Sequence, residues 1–250
     1  MIATSENTVR EDKHCPHNAA INCTNCRLSG ICLPLALEQD EIVQLDEIVQ
    51  RGRPLQKRQH AYREGDTFTS VFAVRSGSFK AYSVTDTGEE QVTGFYFPGE
   101  IMGMDGIGQN RYASSAQALE TSAICEIPFS RIQELSGRLP NMQGHFFRLL
   151  SQEIVEDQRH MTLLSKNTAE QRVASLLISI SARNARRKLS PNRFRLPMSR
   201  GDIGHFLGLT IETVSRVFSR FAKQGLIEIE NKDVSILDVP ALQHIAAQED

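Results

Sequence analysis

Three cysteines fall close together in Cys23-Thr-Asn-Cys26-Arg-Leu-Ser-Gly-Ile-Cys32, a C-x2-C-x5-C spacing. Thiolate is a soft donor that suits zinc, copper(I) and iron–sulfur clusters. A structural zinc site shows two C-x2-C knuckles, or one knuckle with a paired-histidine segment. One knuckle is present, and His14 and His17 beside it leave a zinc reading open without completing it. Iron–sulfur clusters are commonly held by a run of cysteines plus one distant cysteine, and Cys125 stands far along the chain. Taken alone, Cys125 reads as a buried core thiol. The bland reading of the whole set is free or disulfide-linked cysteines, but a total of five fits poorly with a disulfide framework.

A second chemistry sits near the other end of the chain. Arg183, Arg186, Arg187, Lys188, Arg193, Arg195, Arg200, Arg216, Arg220 and Lys223 face only Asp202 and Glu212 in the same stretch. On a chain of net charge −2 this is a local basic field of the kind that meets nucleic acid. Inside it, Ser199 with Asp202 forms an acidic variant of the capping box and starts a short helix. That helix stops at Leu207-Gly208-Leu209, and Thr210 caps a second one, Ile211 to about Lys223. Helix, tight glycine turn and helix make a helix-turn-helix. Val214, Val217, Phe218 and Phe221 form its buried side; Glu212, Ser215, Arg216 and Ser219 share another. Early residues of a recognition helix reach base edges. Arg216 suits guanine and Glu212 cytosine N4, and Glu212 is also placed to hold the Arg216 fork. Arg200, Arg220 and Lys223 suit phosphates. Gly225-Leu-Ile-Glu-Ile229 and Asp233-Val-Ser-Ile-Leu237 then read as a hairpin, which makes the domain winged.

Between the two lie the elements that must connect them. A polar, aperiodic start reads as a disordered tail over 1–20. Ile42, Leu45, Ile48 and Val49 follow helical spacing between Glu38 and Val49. From 55 to 128, short runs such as Ser70–Arg75, Phe79–Val84, Gln91–Phe97 and Ala123–Ile127 alternate with glycine turns, which suggests a β sandwich or roll. From Asn141 to Leu164 there is no proline, so one helix of about six turns is expected. Phe147, Ile154 and Met161 with Leu150, Asp157 and Leu164 fall at a and d positions of a heptad. If two copies pair there, two Asp157 carboxylates meet in the seam and weaken the dimer; the alternative is a helix packed on its own domain with Asp157 in water. Thr168 caps a further helix to about Arg186, and Arg183 to Arg195 continues as a basic loop. The domain boundaries expected are therefore 21–140 for thiol loop and roll, 141–166 for the long helix and 167–250 for the DNA-binding unit.

The chain has 250 residues, 40% of them hydrophobic and 23% charged, so it is globular and fits one large domain or two ordinary ones. No apolar run approaches a membrane span and the start lacks a signal-peptide pattern, so a cytoplasmic protein with reduced thiols and no membrane partner is expected. There is no G-x-G-x-x-G and no P-loop, which argues against a redox enzyme with a second cofactor, and no enzyme is expected.

Together the C-x2-C-x5-C loop with its distant Cys125, Gly65-Asp66, Phe72-Ala-Val-Arg-Ser-Gly77, Gly88-Glu-Glu-Gln-Val-Thr-Gly-Phe95 and Leu207-Gly-Leu-Thr-Ile-Glu-Thr-Val-Ser-Arg216 resemble the FNR group of CRP/FNR transcription regulators, above all its oxygen-sensing iron–sulfur members. The resemblance spans nearly the whole chain. It implies an α+β protein with an N-terminal cyclic-nucleotide-binding-like β-roll, a long dimerisation helix and a C-terminal winged helix-turn-helix. It implies Cys23, Cys26, Cys32 and Cys125 as ligands of one [4Fe–4S] cluster per subunit, with Cys15 outside the set. It implies a homodimer through the helix carrying Ile154 and Asp157. It implies double-stranded DNA as partner, with Glu212, Ser215 and Arg216 reading a TTGAT-like half-site repeated as a palindrome; Ser199, Arg200, Thr210, Ser219 and Arg220 are further candidate DNA contacts. The turn at Gly88 and Glu89 resembles a surface that touches RNA polymerase.

Three places depart from the family pattern. Gly103-Met104 and Ser114-Ser115 stand where nucleotide-binding relatives carry Gly-Glu and Arg-Ser, so no cAMP is expected. Gln143 replaces a frequent basic residue in the long helix. The expected mechanism is a switch in which cluster and loop order the near end of the long helix without oxygen, and Asp157 repulsion separates the subunits in air. The competing regulator keeps the DNA domain but has a structural zinc loop and a small-molecule effector in the roll.

Overall fold

The structure, a computed structural model, describes residues 21–247. The expected tail over 1–20, with His14, Cys15 and His17, lies outside the described residues. Turns carry the thiol loop into a short 3-10 helix at Leu33–Ala36, and α1 follows at Gln39–Ile48. The roll is built from β1 (His60–Tyr62), β2 (Ser70–Ser76), β3 (Phe79–Val84), β4 (Glu90–Tyr96), β5 (Ile101–Met102), β6 (Ser115–Ala118) and β7 (Ala123–Pro128). One antiparallel sheet has the order β1-β6-β3-β4 and the facing one β5-β2-β7. Val71, Phe72, Val74, Phe79, Ile101, Met102 and Ile127 fill the space between them.

Helix α2 (Phe129–Ser136) closes one end of the roll with Ile132 and Leu135. The long helix α3 spans Pro140–Lys166, with proline at its first position, where a missing N–H costs nothing. Its first turns are anchored in the roll core by Met142 and Phe146. Beyond them Phe147, Ile154 and Met161, seven residues apart, are about three-fifths exposed, at 60%, 58% and 62%.

The C-terminal unit comprises α4 (Ala169–Arg186), β8 (Arg193–Arg195), α5 (Arg200–Leu207), α6 (Ile211–Lys223), β9 (Ile227–Glu230), β10 (Asp233–Ile236) and α7 (Val239–Ala247). Its wing is a three-stranded sheet of order β8-β10-β9. The basic stretch read as a loop thus contains a strand. Arg193 and Arg195 point to water while Phe194 packs on the core, and the flanking charges mask that alternation. Val173, Leu177, Ile203, Val214 and Phe221 are fully covered in this core, which continues into Val92, Phe95 and Phe97 of the roll.

Candidate metal centre and nucleic-acid interface

The thiol loop is a chain of tight turns. Ser29 N–H donates to the Cys26 carbonyl, and Ile31 and Cys32 N–H donate to Leu28, each at 3.0 Å. Pro34 then starts the 3-10 helix and Leu33 inserts into the roll core. Cys125 comes from β7, opposite Ala73 of β2. On the same face of the strand Ala123 and Ile127 are buried, while Cys125 between them is only partly covered. Cys23, Cys26, Cys32 and Cys125 are free thiols and line one cavity with Leu45, Val49, Arg51 and Val74. The cavity is small, about 30 Å³, so seating a polynuclear centre requires the cysteine side chains to re-orient. Among the described residues no three His, Cys, Asp or Glu side chains converge as the ligands of a single metal ion.

A charged pair flanks Cys23. The Cys23 N–H donates to Asp46 Oδ1 at 2.6 Å, and Arg51 is ion-paired to the same carboxylate. Arg51 Nη2 also lies 3.5 Å from Cys23 Sγ. Arg51 is held there because Gln50 pairs with Glu126 of β7 through two backbone hydrogen bonds of 2.8 and 2.9 Å. Burial, reinforced by Asp46, pushes the Cys23 thiol far up, opposed by Arg51. Burial pushes Cys32 up to about 12 and raises Cys125, with Arg51 pulling the latter down. These thiols therefore stay protonated at neutral pH unless a cation binds them, since a bound metal takes thiolate. A soft four-sulfur donor set beside one guanidinium fits an iron–sulfur cluster.

The loop is coupled to the rest of the chain at two points. Gly99, with φ of 92°, sits under Ile31, and a Cβ built on it would stand 2.7 Å from Ile31 Cδ1. Buried His145 of α3 lies beside the Cys32 carbonyl.

At the other end, the helix pair forms as its caps dictate. Ser199 Oγ accepts from Asp202 N–H at 3.0 Å, and Asp202 Oδ2 accepts from Ser199 N–H at 2.8 Å. Thr210 Oγ1 accepts from Thr213 N–H at 3.2 Å. Gly208 takes the left-handed conformation that ends α5. Gly204 permits the close turn, because a Cβ there would meet the Leu209 carbonyl oxygen at 2.5 Å. Glu212, Ser215, Arg216 and Ser219 form an exposed strip on α6, opposite the buried Val214, Val217, Phe218 and Phe221. Ser215 and Ser219 hydroxyls donate to the carbonyls four residues back, at 2.8 and 2.9 Å. The cations expected at phosphates are more constrained. Arg200 lies 3.6 Å over the Phe218 ring, and Arg220 is ion-paired to Glu170 of α4.

Sequence reasoning missed how the two ends touch. Lys80 of β3 pairs with Glu90 at 2.6 Å and with Asp202 of α5 at 2.9 Å. Gln91 Nε2 donates to the His205 carbonyl at 2.5 Å. The Phe206 ring stacks on His160 of α3, 4.1 Å between centroids, and tilts against Phe95 at 5.0 Å. The aromatic residues of β4 and α5 were the available signal. They sit where a roll strand and a helix-turn-helix would each be expected to face water.

A β-roll, a long helix and a winged helix-turn-helix with an exposed strip on its second helix define a DNA-binding regulator. The cyclic nucleotide-binding domain family matches residues 53–138, and the Crp-like helix-turn-helix domain family matches 171–245. The transcriptional activator protein FnrA of Stutzerimonas stutzeri is 55% identical over 217 residues, 87% of this chain and 89% of that protein. The fumarate and nitrate reduction regulatory protein of Escherichia coli (strain K12) is 46% identical over 227 residues, 91% of each. The solved structure of FixK2 from Bradyrhizobium japonicum superimposes with a TM-score of 0.75 at 25% identity, covering 81% of this chain and 100% of that one. The chain belongs to the FNR group of the CRP/FNR transcription regulators. It is a DNA-binding regulator rather than an enzyme, and none of its described helices is long and apolar enough to cross a membrane.

Proposed function

We propose that this regulator responds to oxygen through one [4Fe–4S] cluster per subunit, held by Cys23, Cys26, Cys32 and Cys125. The observation that carries the reading is the meeting of all four thiols on one cavity, three from the loop and one from β7. When bound, such a cluster supplies an oxygen-labile tie between loop and roll. The protein's own residues do the rest. Ile31 on Gly99 and His145 beside Cys32 pass the position of the loop to the first turns of α3. The exposed stripe of Phe147, Ile154 and Met161, flanked by Leu150, Leu164 and Asp157, is the surface that pairs two copies. Asp157 in that seam keeps the pairing weak, so a small gain in order at the near end of α3 makes the dimer and its loss breaks it.

In the dimer two copies of α6 face successive major grooves of a palindrome. Arg216 donates to guanine and Glu212 accepts from cytosine N4, with Ser215 beside them, over a TTGAT-like half-site. Ser199, Thr210, Ser219, Arg200 and Arg220 line the backbone side; Arg220 reaches a phosphate by leaving Glu170. The turn at Gly88 and Glu89 offers a contact for RNA polymerase. No cAMP is bound: Ser114 hydrogen-bonds the Asp105 carboxylate at 2.7 Å, where a nucleotide phosphate would need a cation.

The test is purification without oxygen, followed by iron and sulfide analysis, a visible spectrum and sedimentation before and after air. About four irons per chain, with visible absorbance that bleaches as dimer is lost, is expected of this ligand set. A colourless chain holding zinc, or a dimer indifferent to air, would overturn the proposal.

A further inference from the structure

A cavity of about 340 Å³ opens where the thiol loop, the roll, α3 and α4 meet, on the outer side of Gly99. Its wall carries His145 and Arg148 from α3, Arg183 and Arg186 from α4, and Arg187 at the C-terminal cap of α4. Glu100 is the one carboxylate in the wall, and it is already engaged by Arg183 at 3.4 Å and Arg186 at 3.8 Å; Arg183 is further held by Glu156 at 3.3 Å and by the Phe95 carbonyl at 2.7 Å, which leaves Arg148, Arg186 and Arg187 as the less compensated cations. Arg187 is fixed over the Phe97 ring at 4.9 Å, and its Nη2 donates to Asn184 Oδ1 at 2.6 Å. Its Nε and Nη1 are shielded from water and have no hydrogen-bond partner, and the same is true of Nε2 of the buried His145. Burial, and the neighbouring Arg183 and Arg186, hold the Arg187 guanidinium below its ordinary value despite Glu100. None of these side chains belongs to the thiol cavity or to the recognition strip.

Like-charged guanidiniums in one wall repel, and unpaired donors sheltered from water are costly. A polyanion in the cavity relieves the repulsion, and planar arginine forks match phosphate oxygens in pairs. The size is at the small end for metabolite pockets. Ile31, Leu35 and Leu149 give the rim an apolar edge that a short carbon portion can cover.

We propose that this cavity binds a small phosphate-bearing anion, a diphosphate or a phosphomonoester with a short carbon portion, which tethers the thiol loop to α4. The ligand would be a second input to the regulator: it touches Gly30 and Ile31, next to Cys32, and at the same time the helix that enters the DNA-binding unit.

The test is calorimetric titration of the full chain at constant ionic strength with pyrophosphate, inorganic phosphate, glycerol 3-phosphate and sulfate. Pyrophosphate or glycerol 3-phosphate is expected to bind at least tenfold more tightly than sulfate. The tighter of the two tells a bare diphosphate from a phosphomonoester with a carbon portion. Tightest binding of inorganic phosphate would reduce the ligand to the free ion and overturn the proposed class. Arg187→Gln is expected to weaken the preferred ligand at least tenfold. Arg148→Gln, on the exposed face of α3, is expected to do so severalfold with an unchanged melting temperature, and it decides the matter if Arg187→Gln does not fold. Equal affinity for sulfate, unchanged affinity in Arg148→Gln, or displacement of the anion by duplex DNA would overturn the site.

Discussion

Lys80 of the roll stands 2.9 Å from Asp202 of the first helix of the helix-turn-helix. Both side chains are largely covered, at 6% and 16% exposure, so the pair ties the roll to the helix-turn-helix. Removing one partner of a buried pair leaves the other charge uncompensated. Lys80→Met is expected to destabilise the chain by about 3 kcal/mol, measured by urea denaturation. A change within error would mean that water already shields Asp202.

The same pair sets a pH dependence. Burial opposes ionisation of Asp202, but hydrogen bonds from Ser199 and Lys80 outweigh it and hold the carboxyl below its ordinary value. A carboxyl lowered in the folded state contributes stability that is complete above its unfolded value, about 3.9. That stability is lost as pH falls through the lowered value. Denaturation midpoints of wild type and Asp202→Asn should therefore differ at pH 6 and converge towards pH 3. A constant difference across that range would remove the carboxyl's ionisation from the account.

Much of the chain was legible because local chemistry and tertiary role agree. Ser199, Thr210 and Thr168 read as caps and do cap, and Gly208 ends the helix it punctuates. The thiol spacing marked its loop, and the short turn-bounded run Ala123–Ile127 put Cys125 on a strand, whereas the cavity that brings the four thiols together is a property of the fold. Where the context overrides local pattern, the reading stopped. Helix α2 has no side-chain cap and follows a strand without a break at Pro128, and α7 owes its place to packing on α4. Lys80 looked like a solvated strand residue and Asp202 like a cap alone, because an ion pair between residues so far apart in sequence leaves no periodic trace.

Arg51 makes its own prediction. It lies against Cys23 Sγ and lowers the thiol that burial and Asp46 raise. Groups that orient and polarise a metal ligand typically change affinity by roughly 10–100-fold. Arg51→Met, loaded without oxygen, is expected to release iron to a chelator at least tenfold more readily than wild type. The melting temperature of the unloaded chain separates this from misfolding, since a general loss of structure would move both.

Gly204 tests the geometry of the reading head. A methyl group there would sit 2.5 Å from the Leu209 carbonyl oxygen, which is backbone and has no rotamer to yield. Gly204→Ala must open the angle between α5 and α6, at a cost of about 1–3 kcal/mol. Specific DNA affinity should fall further than stability, because the recognition strip is displaced against the groove. Gel-shift titration beside thermal melting gives both. Wild-type affinity in this variant would show that the turn relaxes without moving α6.

If two copies pair through α3, Asp157 is the residue on which that pairing should turn. It is exposed, one helical turn beyond Ile154, on the same side as the apolar stripe of Phe147, Ile154 and Met161. Two copies packed through this stripe bring two carboxylates together as apolar contacts form around them, and like charges in such a seam oppose association. Asp157→Ala removes the repulsion and leaves the stripe intact. In air this variant is expected to sediment as a dimer at micromolar concentration and to shift a palindromic duplex, while wild type does neither. Ile154→Asp is expected to stay monomeric even without oxygen. If Asp157→Ala is monomeric in air, α3 packs through another face and the charge is incidental. If Ile154→Asp still dimerises, the stripe is not the interface.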